Sequence, residues 1–311
     1  MTNNTDSWGR LDQKPRASLP GAQWVTAASR ERASPVLPFG NGRSYGDSCH
    51  CDTGHLLLPN PSPHSIHLNQ ETGLLRADAG VLLKDVLEVS AGTGWFPPVL
   101  PGTKYVTLGG AVANDIHGKN HARLGTFGRH VLGFSLTRSD RKAVWCSKAE
   151  NAALFGATIG GMGLTGLIGE IELQMMAALS HAITTRNQPF ETLEEFFTLV
   201  DEAEAANEYC VAWVDSLASN KRFGRGIIIS GNHAAQDDQS AVSAKTRRLS
   251  VPFTPPVPLV AGQALKTFNE LYFRSNAAKR TTRIVSANSF FFPLDAIGHW
   301  NRLYGPKGLF H

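Results

Sequence analysis

Glycine constrains this chain more than any other residue. It supplies 30 of the 311 residues, and most of the 30 gather between Gly40 and Gly169. Without a Cβ, a glycine adopts left-handed backbone and lets other groups come close to the main chain, so successive glycine loops build tight turns around something. Two of them look like dinucleotide fingerprints: Gly40-x-Gly42-x-x-x-Gly46, and Gly161-Met162-Gly163-Leu164-Thr165-Gly166, a formal GxGxxG match. A Rossmann fingerprint needs strand, loop and then helix, because the helix N-terminus must face the pyrophosphate. Here a helical pattern precedes the second loop and a strand pattern follows it, while the first loop runs into Asp47-Ser48-Cys49 with no helical pattern. That order excludes an NAD-type Rossmann domain, and the lack of GxxxxGK[ST] excludes a P-loop. Several glycine loops spread over this length suit backbone amides gathered around one large anionic cofactor, and FAD fits that description.

With 42% hydrophobic and 18% charged residues, the chain can bury a full core and is long enough for two domains at ~150 residues each. The net charge of +4 comes from scattered basic residues, which argues against nucleic-acid binding. No apolar run approaches the ~20 residues of a membrane span, and the opening residues lack the apolar stretch of a secretory signal. The expectation is a soluble, cytoplasmic protein. Cys49, Cys51, Cys146 and Cys210 have neither disulfide-framework density nor CxxC spacing, so reduced thiols are expected; Cys49-His50-Cys51 reads as a loop, and no metal site is expected.

Patterning predicts strands at 36–39, 56–58, 65–69 and 74–79, a helix over 82–91, a hairpin of 131–138 with 142–147, a helix over 149–158 and a strand over 167–175. From about Ala177 the composition changes. An acidic amphipathic helix is predicted over 191–208, strands over 209–214 and 226–230, a proline-interrupted extended stretch over 251–258 and a helix over 259–275. Phe290-Phe291-Phe292-Pro293 reads as strand-like, followed by a helix over 294–304. The pattern is α+β.

In order along the chain stand GNGRSYGD (40–47), LPGT (100–103), TLGGAVANDIHGKNH (107–121), GTFG (125–128) and ATIGGMGLTGLI (157–168). These motifs resemble the PCMH-type FAD-binding domain of the vanillyl-alcohol-oxidase family. HGKNH, GTFGRHV, Ala212-Trp213-Val214-Asp215 and Trp300-Asn301-Arg302-x-Tyr304-Gly305-Pro306 are most similar to its decaprenylphosphoryl-ribose-oxidising branch. The resemblance covers nearly the whole chain. It implies a two-subdomain PCMH-type FAD-binding domain over residues 1–176, then an α+β substrate (cap) domain over 177–311. Family members continue beyond the Trp-Asn-Arg segment, so the cap is expected to be incomplete at its C-terminus.

The resemblance also implies site residues. Gly40, Asn41, Gly42, Arg43, Ser44 and Tyr45 would wrap the FAD pyrophosphate, with further contacts from Pro101, Gly102, Thr103, Thr107, Gly109, Gly110, Asn114, Ile116, His117, Gly118, Gly163 and Ile168. Relatives that attach flavin covalently read Gly-x-x-His-Ser here. Arg43 stands before Ser44 instead, and a guanidinium cannot form that bond, although it can donate to phosphate, so the FAD is expected to be non-covalent. Lys119 would face the substrate, where a cation stabilises a developing alkoxide, with His117 beside the flavin ring. Tyr45 either hydrogen-bonds within the site or packs with its hydroxyl at the surface; Trp213 is either a wall of the substrate pocket or core. His121 and His130 qualify for acid–base work by residue type only.

The implied activity is oxidation of a secondary alcohol of a sugar, at C2 of a polyprenylphosphoryl pentose, by hydride transfer to flavin N5. The alternatives are an aldonolactone or alditol oxidase-like enzyme and a truncated flavin-binding protein without turnover. The implied partners are a small-molecule or lipid-linked sugar and an NAD(P)-dependent reductase for epimerisation. Peripheral association with the inner face of the membrane would suit a lipid-linked substrate.

Overall fold

The computed structural model describes residues 5–12, 14–20, 35–59, 65–139, 141–235 and 249–308. They divide into two units. The first comprises the described residues of 1–117 and 126–177 with Lys307 and Gly308; the second comprises 118–125 and the described residues of 178–306.

The first unit contains two larger sheets. In the smaller, β1 (Ser18–Pro20) and β2 (Val36–Pro38) flank β3 (His55–Leu58) in parallel, with Leu56 and Leu57 buried. The larger is an antiparallel sheet in the order β4-β5-β9-β7-β8, built from β4 (Ile66–Leu68), β5 (Leu74–Asp78), β7 (Val131–Arg138), β8 (Arg141–Ser147) and β9 (Leu167–Gln174). Alternation sets the faces: Leu75 and Ala77 point into the core, while Arg76 points out and pairs across the strands with Glu172 at 2.5 Å. A Cβ on Gly133 would lie 2.8 Å from Cε2 of Trp145 on β8, so glycine makes room for the indole. A short ribbon pairs β6 (Trp95–Phe96) with β10 (Met176–Ala177). Helices α1 (Leu83–Ser90), α2 (Leu108–Ala113) and α4 (Ala152–Thr158) pack on these sheets, and Phe155 of α4 stacks on Phe134 at 5.3 Å. The short helix α3 (His121–Leu124) belongs to the second unit.

The second unit is an antiparallel sheet in the order β12-β13-β11-β15, formed by β11 (Ala182–Phe190), β12 (Tyr209–Val214), β13 (Gly226–His233) and β15 (Arg283–Ser286). Its period of two separates two layers. Phe190, Cys210, Ala212 and Ile228 meet α5 (Leu193–Ala206), whereas Asn187, Trp213 and Asp215 meet α6 (Gly262–Ala277) and Tyr209 meets α7 (Ala287–Phe291). A buried ion pair ties α6 down: Arg225 donates to Asp215 at 2.9 Å and to Glu270 at 2.8 Å, and Asn269 donates to Asp215 at 2.7 Å. A parallel bridge of β14 (Leu249–Ser250) with β16 (Ile297–Gly298) completes the unit.

The fold is α+β as expected, and three stretches correct the sequence prediction. Phe290 and Phe291 lie in helix α7, which Ser286 caps by accepting the Ser289 N–H at 3.3 Å; three consecutive buried rings imitate a strand without forming one. Residues 294–304 are not one helix but two 3₁₀ turns separated by β16, because His299 adopts a left-handed φ of 54°. The central strand β11 carries no apolar alternation. Its buried Thr185 and Asn187 hydrogen-bond to Ser230 O and to Asn276, so polar residues occupy core positions.

Candidate functional site

In the first unit the motif segments converge on α2. Thr107 caps it, accepting the Gly110 N–H at 3.1 Å, while Leu108 N donates to Val81 O and Gly109 N to Ala79 O. A Cβ on Gly109 would stand 2.9 Å from the Ala79 methyl, and one on Gly40 2.8 Å from the Thr107 hydroxyl, so these glycines allow three segments to close on one helix end. Asn41 Nδ2 donates to Tyr105 O at 2.8 Å, joining the 40–47 loop to the 100–107 loop. At the other end, Val112 O and Ala113 O accept the N–H groups of Gly160 and Met162 at 3.0 and 2.7 Å. Asp115, at a left-handed φ of 42°, accepts the Gly128 N–H at 2.8 Å and fixes the GTFG turn.

The loop at 40–46 has the properties an anionic ligand needs. Among the described residues, the N–H groups of Gly40, Asn41, Gly42, Ser44 and Gly46 meet no protein acceptor, and Gly42 turns the chain at φ 59°. Amides left without a protein acceptor in a glycine turn are what a phosphate-binding nest requires. Gly102 and Gly163 have nothing within 4 Å of where a Cβ would stand, which leaves backbone open to a flat ring. The residues present therefore fit FAD. The Arg43 guanidinium lies 4.6 Å over the Trp8 ring and 5.4 Å from that of Tyr105, a cation–π clamp that holds the loop.

The other expected contacts divide by what their atoms already do. The amides of Gly109 and Gly110 are engaged within the protein, so these residues offer a ligand only carbon surface. Thr103 takes the Tyr105 N–H on its hydroxyl at 3.3 Å, and Asn114 folds its amide back onto Gly110 O at 2.8 Å. Pro101 and Ile116 are half-buried, Ile168 is buried in β9, and Tyr45 and His117 are exposed.

In the second unit, Lys119 follows Gly118. Its ammonium donates to Phe290 O and lies 4.5 Å over the Phe290 ring, while its own carbonyl accepts the Cys210 N–H at 2.7 Å. Burial pulls its pKa down to about 8. Trp213 is half-buried and packs 4.8 Å from Tyr272 of α6, so its ring joins sheet to helix; His121 is exposed. Sequence reasoning missed Trp8 and Tyr105 as the partners of Arg43, Asp115 as the anchor of the GTFG turn, and Phe290 as the seat of Lys119. Of these, only Asp115 lay inside a recognised motif. Among the described residues no cluster of metal ligands occurs, and no helix is long and apolar enough to cross a membrane. All four cysteines are free thiols.

Residues 22–147 match the family model described as FAD binding domain. The chain carries an FAD-binding domain. Its cofactor is accordingly FAD. The chain is 33% identical over 294 residues to decaprenylphosphoryl-beta-D-ribose oxidase of Mycolicibacterium smegmatis, which covers 91% of this chain and 64% of that protein. It is 26% identical over 187 residues to mouse L-gulonolactone oxidase, 60% of this chain and 41% of that one, and 27% identical over 184 residues to D-lactate dehydrogenase of Anaerostipes hadrus, 57% and 38%. The chain thus spans less than two thirds of the length of each of these relatives.

Proposed function

We propose that the FAD-binding domain and the unit beside it in sequence belong to an FAD-dependent oxidoreductase that converts a secondary alcohol of a sugar to a ketone. The proposed substrate is a polyprenylphosphoryl pentose oxidised at C2. The observation that carries this is Lys119, an ammonium seated against the Phe290 ring and carbonyl two residues beyond His117, with a pKa of about 8. Near neutral pH such a group exists in both protonation states, so it can hold a developing alkoxide as a cation or take the hydroxyl proton as an amine. Bound FAD supplies the acceptor for the hydride that leaves the same carbon. The similarity to a decaprenylphosphoryl-ribose oxidase over most of the chain supports the sugar and the lipid. Arg43, clamped between Trp8 and Tyr105 where an attachment histidine would stand, supports non-covalent FAD. An NAD(P)-dependent reductase acting on the ketone would complete an epimerisation.

Anaerobic mixing of the flavin-loaded chain with a polyprenylphosphoryl ribose, an aldonolactone and an alditol tests this through flavin absorbance. Bleaching by the phosphoryl ribose alone is expected, and acid precipitation should leave a yellow supernatant. Bleaching by the lactone or alditol would replace the proposal with the sugar-lactone branch. Colour in the pellet would overturn non-covalent binding. Lys119→Ala should abolish bleaching with FAD still bound.

A further inference from the structure

We infer that Tyr209 and His233 are positioning residues for Lys119, fixing the Phe290 ring on which the lysine is seated, through that ring and its neighbour Phe291. This role presupposes Lys119 at the substrate, as proposed above. Tyr209 opens β12 and is 2% exposed; its hydroxyl lies 3.0 Å from His233 Nε2, and His233 Nδ1 lies 2.6 Å from Ser180 O. A carbonyl only accepts, so Nδ1 carries the proton and Nε2 accepts from the tyrosine O–H. Burial holds the imidazole below its ordinary pKa, against the pull of the Ser180 carbonyl and Glu208, which keeps this tautomer neutral. With its hydroxyl tethered, the Tyr209 ring meets Phe291 at 4.9 Å and 84° and Phe290 at 5.9 Å and 67°, and the two phenylalanines cross at 5.0 Å and 88°. These are three edge-to-face contacts, a geometry that resists rotation of any one ring.

Both restraints on Lys119 return to this cluster. Phe290 holds the ammonium through its carbonyl and ring, and the residue after Tyr209 holds the lysine carbonyl through the Cys210 N–H. The other titratable or charged groups on these elements are Glu208 and Cys210 on the β12 side, Glu194, Glu195, Asp201, Glu202 and Glu204 on α5, and His121 and Arg123 on α3. None of them contributes to the depression of Lys119, which comes from desolvation alone. Keeping the aromatic seat closed therefore keeps the lysine's titration well below its ordinary range, so that a fraction of it is discharged near neutrality.

The test is competitive acetylation of Lys119 across pH on the flavin-loaded full chain, read by peptide mass spectrometry. In the unaltered protein the midpoint should lie near 8. Tyr209→Phe removes one oxygen and no ring, so it should keep the fold while raising the midpoint by a unit or more. His233→Leu should do the same, and His233→Gln, which can still bridge a hydroxyl and a carbonyl, should restore the original midpoint. The first two variants should also lower the rate of flavin reduction by substrate about tenfold at pH 7 with FAD content unchanged. Unchanged midpoints in folded Tyr209→Phe and His233→Leu would overturn the inference. Because acetylation is read without substrate, a failure of the proposed reaction would appear separately, as no bleaching in the unaltered chain.

Discussion

Lys119→Met removes a charge that the fold holds at a cost. Lowering a lysine from its ordinary 10.5 to about 8 means that the folded state disfavours the ammonium by about 3 kcal/mol relative to the unfolded chain. The unfolded state therefore binds more protons between pH 8 and 10.5, and stability must rise with pH across that window, with the full penalty present below it. Methionine fills a similar volume without charge and removes the penalty, but it leaves Phe290 O without its donor, which returns about 1–3 kcal/mol. The net expectation at pH 7 is a variant between equal stability and about 2 kcal/mol greater stability, with no activity toward the sugar. Urea unfolding at pH 7 and pH 10, followed by hydrogen-exchange mass spectrometry of peptides from β12 and β13, reads the effect in the unit concerned. The stability of the variant relative to the unaltered protein should fall by about 2–3 kcal/mol between pH 7 and pH 10, because only the lysine titrates and its penalty is relieved there. A constant difference, or a variant destabilised by more than about 3 kcal/mol at pH 7, would refute the claim that the ammonium is disfavoured by its surroundings.

Asp215→Ala should cost about 1–3 kcal/mol, because Arg225, 6% exposed at its side chain, and Asn269 lose their shared acceptor while Glu270 still pairs with the arginine. Burial pushes the Asp215 carboxyl up, but hydrogen bonds from Arg225 and Asn269 outweigh it and hold it below 3.8; that contribution is present above this value and lost as pH falls below it, so acid denaturation of the variant should be shallower. Arg43→Ala breaks the clamp on Trp8 and Tyr105 and should lower the flavin-to-protein absorbance ratio after gel filtration; an unchanged ratio would remove Arg43 from cofactor retention. Gly133→Ala drives a methyl into the Trp145 indole and should cost about 1–3 kcal/mol in urea unfolding, whereas pairing it with Trp145→Leu should recover part of the loss.

What the sequence made legible follows from where chemistry is local. The β7–β8 hairpin and helices α1 and α5 were readable because each buries one face against one layer, so its periodicity survives in the residues themselves. The turn at 40–46 was readable because Gly42 takes a left-handed φ of 59°, and glycine declares such backbone. Helix α2 was hidden, since LGGAVA has helical small residues but two glycines that propensity counts against it. Its existence depends on the Thr107 cap and on Ala79 and Val81, which receive its first amides. The seat of Lys119 was illegible for the same reason at longer range: Phe290 lies 171 residues away, and nothing in a run of three phenylalanines says that one carbonyl receives an ammonium.

The eight residues 118–125 lie within the first half of the sequence yet belong to the second unit. Anyone recombining this chain with a relative at the visible change of composition, near Ala177, would therefore exchange most of the second unit while leaving Lys119 behind with the first. The donor's Cys210 N–H and Phe290 would then face a foreign loop. A chimera that respects the fold has to carry the GKNHARLG segment across together with residues 178–306, and any property of the second unit should follow that short insert as faithfully as it follows the larger piece.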